Sequence, residues 1–149
     1  MPEFLEATVE KFTFKVATDR LYTREGLWAK LDGGQVRIGL TDFLQQRSGD
    51  VAFAEVKPVG TKLKAGDDIA VIETIKVDTW LGSPVGGVVV QVNPAMDESP
   101  EVINLDPYVD GWMAVVEVED WEADKGNLFD PEAYFKIMVR QAEEEAAKL

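Results

Sequence analysis

The sequence predicts a mainly β domain, an antiparallel sandwich or flattened barrel with short peripheral helices and a helix at the C-terminal end. Three observations carry that expectation. Apolar residues alternate at period two through the middle of the chain, Gly, Pro and Asp punctuate the runs, and helical spacing is confined to short capped stretches and the tail.

The first alternating run spans residues 11–16. Residues 28–31 and 36–40 follow, separated by Gly33-Gly34, a pair that permits positive φ in a tight turn and so predicts a hairpin. Within the second run Val36, Ile38 and Leu40 share one face, the mark of a half-buried strand. Thr41 or Asp42 is placed to cap a short helix reaching Gln46. Strands are then expected at 51–56 and 69–73, and at 88–92, where Val88, Val90 and Val92 would form the buried face. Ser99 followed by Pro100 predicts a short helix ending before Asn104, and residues 113–118 give the last strand. Asp130-Pro131-Glu132 opens the C-terminal helix; Tyr134, Ile137, Met138 and Ala142 form its docking stripe, while Glu143, Glu144 and Glu145 stay in water.

Composition narrows the function. At 149 residues with 46% hydrophobic content, the chain can bury roughly 70% of its unfolded surface and needs no staple. Fifteen basic against 28 acidic residues give 15 − 28 = −13, a charge that repels nucleic acid and anionic membrane surfaces, so neither is an expected partner. With no Cys and no His, a disulfide framework, a thiolate metal site and serine-histidine-acid catalysis are all excluded. No metal ligand set is expected. The absence of a long apolar run or a basic leader points to the cytoplasm.

The most informative stretch is Ile69-Ala70-Val71-Ile72-Glu73-Thr74-Ile75-Lys76-Val77-Asp78-Thr79-Trp80. A strand runs into a short polar break and a second apolar run follows, which puts Lys76 at a hairpin tip. On spacing alone this is an ordinary solvated turn lysine, since lysine is mostly exposed. By the same reading Glu73 is a strand-end carboxylate and Thr74 a turn hydroxyl able to bond locally.

From Leu21 to about Tyr134 the chain resembles the H-protein family of the glycine cleavage system, lipoyl carriers related to lipoyl and biotinyl domains. The likeness rests on ordered motifs: Leu21-Tyr22-Thr23 with Trp28, Ile38-Gly39-Leu40-Thr41-Asp42-Phe43, Gly49-Asp50-Val51, Glu73-Thr74-Ile75-Lys76, Ser83-Pro84-Val85-Gly86-Gly87, Val92-Asn93, Asn104-Leu105-Asp106-Pro107-Tyr108 and Asp110-Gly111-Trp112-Met113. It implies a flattened barrel-sandwich hybrid of the lipoyl/biotinyl type, one domain over 1–149 with 1–20 as an N-terminal extension and 130–148 as the C-terminal helix. It also implies lipoic acid bound covalently to Lys76, with Glu73 and Thr74 as landmarks for a lipoate-attaching enzyme. The protein would then be a carrier and not an enzyme, the redox chemistry belonging to the cofactor.

One departure bears on the cargo. Where the family reads histidine-glutamate-tryptophan, this chain has Gly26, Leu27 and Trp28. If Leu27 faces the cleft where the arm rests, an aminomethyl cation held there loses its carboxylate partner. Val77 and Asp78 also replace small or polar residues after the lysine. These features are similar to the H-like lipoate-binding proteins of bacterial sulfur oxidation. They imply a shuttle of sulfur intermediates and electrons serving a heterodisulfide-reductase-like complex. The alternatives are the glycine cleavage enzymes as partners, with an aminomethyl cargo, and an unmodified β-rich interaction module.

Overall fold

A computed structural model describes residues 2–148. The strands are β1 (Phe4–Val9), β2 (Phe12–Ala17), β3 (Leu21–Tyr22), β4 (Leu27–Asp32), β5 (Gln35–Leu40), β6 (Val51–Val56), β7 (Lys62–Leu63), β8 (Asp68–Thr74), β9 (Asp78–Gly82), β10 (Gly87–Val92) and β11 (Ala114–Val118). The helices are α1 (Asp42–Ser48), α2 (Ala95–Glu98), α3 (Val102–Leu105), α4 (Trp121–Lys125) and α5 (Pro131–Ala146). A six-stranded sheet in the order β3-β4-β5-β11-β10-β7 and a three-stranded sheet β6-β8-β9 share one core, and β1-β2 form a separate hairpin. The mainly β architecture with a C-terminal helix is the one the alternation predicts.

The main core lies between the two larger sheets. Leu27, Ala29, Val36, Ile38 and Leu40 meet Ala54, Ala70, Ile72 and Leu81 there. Asp32 pairs with Gln35 across Gly33-Gly34, and Gly33 sits at φ 65°, so the expected two-residue hairpin turn forms where glycine removes its strain. In β10 the expected face holds only beyond a bulge, where Val92 packs against the main core. Val89 is fully buried while Val88, Val90 and Val92 are half-buried, because the pairing with β11 shifts register between Val89 and Gln91. Periodicity alone does not show a bulge.

The helices follow their caps. Thr41 caps α1, its hydroxyl accepting from the Leu44 amide at 3.1 Å, while Asp42 accepts from the Lys15 amide of β2 at 2.9 Å. Asp130 caps α5 by accepting from the Ala133 amide at 2.8 Å. The helix expected from Ser99-Pro100 starts later: Ser99 closes α2, and α3 begins at Val102 with no side-chain cap. Tyr134, Met138 and Ala142 of α5 are buried and Ile137 is half-buried. Glu145 departs from the expected wet face, since it accepts from Arg47 of α1 at 2.6 Å.

A second core sits under α5 and the β1-β2 hairpin, built from Phe14, Val16, Tyr22, Trp28, Phe43, Tyr108, Tyr134 and Met138. Tyr22 and Tyr134 stack at 4.6 Å, and burial pushes the Tyr134 hydroxyl up to about 12, against the opposing effect of its contact with Thr41. Both rings therefore stay neutral at physiological pH.

Arg20 is the charged group in this core. Its guanidinium lies 4.6 Å from the Trp28 ring and 5.3 Å from the Tyr108 ring, and it donates to Asp19 and to the Tyr108 carbonyl, each at 2.7 Å. Burial alone would raise the Asp19 carboxyl, but the hydrogen bonds and charges of Arg20 and Lys30 outweigh it and hold Asp19 below its ordinary 3.8. Removing Arg20 leaves the Tyr108 carbonyl unpaired and two aromatic faces without their cation. Arg20→Ala is expected to cost about 3 kcal/mol in a urea titration. A depressed carboxyl stabilises the fold fully above its unfolded value, and that contribution is lost as pH falls through the lower folded value. The variant should accordingly show a shallower loss of stability below about pH 4 than the parent chain.

Candidate functional site

The β8-β9 hairpin carries Lys76 at its tip. Thr74 closes the turn: its amide donates to the Val77 carbonyl at 3.0 Å, and its hydroxyl donates to the same carbonyl at 3.2 Å. That hydroxyl oxygen also lies 3.3 Å from the donating amides of Lys76 and Val77. One hydroxyl thus meets three backbone groups of Lys76 and Val77, as a short side chain two residues upstream can do. Ile75 is 96% exposed and Lys76 and Val77 are exposed beside it. The geometry presents a primary amine, exposed to solvent, on a turn that Thr74 closes.

Glu73 is half-buried at the end of β8, directly opposite Phe53 of β6 and Asp78 of β9. It lies on the sheet face below the turn, in reach of an enzyme that covers the hairpin. Glu73, Thr74 and Lys76 are therefore brought together, with Thr74 shaping the backbone and Glu73 presenting charge.

Leu27 is turned into the core and also lines a groove beside the Lys76 hairpin. It is 1% exposed and belongs to the main core. It closes the floor of a groove of about 500 Å3 beside the hairpin, together with Leu44 and Leu81, while Val77, Thr79 and Trp80 form the hairpin-side wall. Arg24, Glu25 and Arg47 line the same groove, with Glu25 exposed. The loss of an acid at position 27 consequently does not leave the groove without a carboxylate.

Sequence reasoning missed Glu25, Arg47 and Trp80. The available signal was Gly26, whose φ of 103° bends the chain just before β4 and leaves Glu25 outside while Leu27 turns in. Among the described residues no cluster of three acidic, Cys or His side chains is arranged to hold a metal ion, and no helix is long and apolar enough to cross a membrane.

Comparison with known proteins places this arrangement. The family model described as glycine cleavage H-protein matches residues 20–141. A glycine cleavage system H protein of Carboxydothermus hydrogenoformans is 43% identical over 128 residues, covering 86% of this chain and 98% of the relative. The H protein of Thermus thermophilus is 35% identical over 127 residues, covering 85% and 98%. A crystal structure of the H protein from Mycobacterium marinum superposes with a TM-score of 0.71 at 29% identity, covering 81% of this chain and 97% of that one. The β1-β2 hairpin precedes the matched region. The chain belongs to the glycine cleavage H-protein family, whose members are carriers serving partner enzymes and not enzymes themselves.

Proposed function

We propose that the protein is a lipoyl carrier modified on Lys76 Nζ. The carrying observation is the apex itself, an exposed amine in the Glu73-Thr74-Ile75-Lys76 box on a turn pinned by Thr74. An amide there removes the lysine charge, and the bound dithiolane supplies the disulfide-dithiol and group-carrying chemistry. The chain's own residues hold the attachment point, present it to partners, and offer a groove beside it with an apolar floor. We read residues 1–149 as one cytoplasmic carrier domain, with 1–20 an N-terminal extension and 130–148 its C-terminal helix.

The decisive experiment is intact-protein mass spectrometry after incubation with a lipoate ligase, ATP and lipoate. One lipoyl group on the wild-type chain, mapped to Lys76, is expected; an unchanged mass would support the unmodified interaction module instead.

For the cargo, the aminomethyl group of the glycine cleavage enzymes is the first reading. The relatives carry that system's name, and Glu25 provides an acid on the groove beside the lysine. A carboxylate so exposed makes only a weak ion pair, so Glu25→Gln should raise the KM of glycine decarboxylase for the lipoylated carrier by about two- to fivefold. Stopped assays of decarboxylation at varied carrier concentration measure it. The second reading, sulfur intermediates delivered to a heterodisulfide-reductase-like complex, draws on the wholly apolar floor of Leu27, Leu44 and Leu81, which favours an uncharged load. It gains if the wild-type lipoylated protein is not loaded by glycine decarboxylase and Glu25→Gln changes nothing.

A further inference from the structure

The outer face of the three-stranded sheet ends at the Lys76 turn, and its register stacks the three strands into rows. Phe53, Glu73 and Asp78 stand opposite one another in the row nearest the turn; Glu55, Val71 and Trp80 form the next. Directly paired residues on antiparallel strands share a face. Phe53 is 67% and Trp80 61% exposed, and Glu55 and Asp78 are exposed as well. Neither aromatic joins either core cluster. Two large rings standing in water, ringed by three acids and adjoining exposed Ile75 and Val77, form an unpartnered apolar face with negative charge around it.

Resting on the attachment reading above, we propose that Phe53 and Trp80 are the anchors by which the lipoate-attaching enzyme grips this chain. Reach decides the occupant. Before acylation the amine extends only four methylenes from the backbone, so the enzyme's donor site must descend onto the turn and cover the sheet face beside it. Enzymes that act on a finished arm meet its far end and can dock at other bearings, so they depend less on this face. Charge fixes the complement: Glu55, Glu73 and Asp78 call for lysines or arginines around a shallow apolar socket on the enzyme. Exposed aromatics at the centre of a patch with a polar rim are the residues that dominate such contacts.

Steady-state lipoylation of the unmodified chain by a purified lipoate ligase, with ATP and lipoate, tests this. Phe53→Ala and Trp80→Ala should each raise the KM for the carrier at least about tenfold while kcat stays within about twofold. Trp80→Phe should recover most of the loss, and Phe12→Ala, an exposed ring on the distant β1-β2 hairpin, should behave as wild type. The wild-type KM should also climb with added salt. Unchanged KM in both alanine variants, with the wild-type chain readily modified, overturns the anchor assignment and leaves the carrier role standing. A wild-type chain that accepts no lipoate overturns both.

Discussion

On the proposed attachment at Lys76, Lys76→Arg is expected to abolish lipoate attachment and every downstream carrier activity while leaving the fold intact. Arginine keeps the positive charge and nearly the length of the side chain, but a guanidinium does not give up a proton near neutral pH to act as an acyl acceptor. The apex is held by Thr74 and not by Lys76: Lys76 contributes its backbone amide, which arginine also has. Stability in urea should therefore stay within about 0.5 kcal/mol of wild type. Intact mass after incubation with ligase, ATP and lipoate reads the first outcome, and carrier-dependent turnover of partner enzymes reads the second. Continued modification of the arginine variant at full extent would move the attachment point to another lysine and remove the reason for assigning function to this hairpin.

The largest stability effect is expected from a residue with no part in chemistry. Gly87 opens β10 with φ 154°, opposite Val118 on one side and Leu63 on the other. A Cβ placed there would come within 2.0 Å of the Glu117 carbonyl oxygen and 3.0 Å of Val116 Cγ1. The first obstacle is backbone, which cannot rotate out of the way as a flexible side chain would. Gly87→Ala must then open the β10-β11 pairing or shift a strand that also carries buried Val89. Overpacking and backbone strain together suggest a loss of about 3 kcal/mol or more, measured as a fall in the urea midpoint at unchanged m-value. A loss below about 1 kcal/mol would mean that the two strands yield more readily than close packing allows.

The fold was legible wherever a local rule was sufficient. Val36, Ile38 and Leu40 are all fully buried as their alternation requires, and Asp130-Pro131 starts α5 where capping chemistry puts it. The exposed position of Lys76 at the β8-β9 tip was legible too, from a strand, a polar break and a second apolar run. What escaped the sequence was set by distant partners. β1 finds its packing on α5, more than a hundred residues away, so Phe4–Val9 carries little signal by itself. The slip at Val89/Gln91 is a property of the pairing with β11, more than twenty residues further along the chain. At the site, Gly26 turns Leu27 into the core, where it closes the groove floor, and leaves Glu25 exposed on the same groove, an outcome of backbone direction that residue type does not reveal.

The three contacts of the Thr74 hydroxyl carry one more implication. An arm on Lys76 would swing from a backbone that Thr74 holds in one turn, so its search would be a sphere centred on the Lys76 Cα with a radius set by the lysine methylenes and the arm's own together. Partner enzymes can then be served in turn by docking at different bearings around that pivot, and the frequency of delivery follows the local concentration inside the sphere instead of the breathing of a loop.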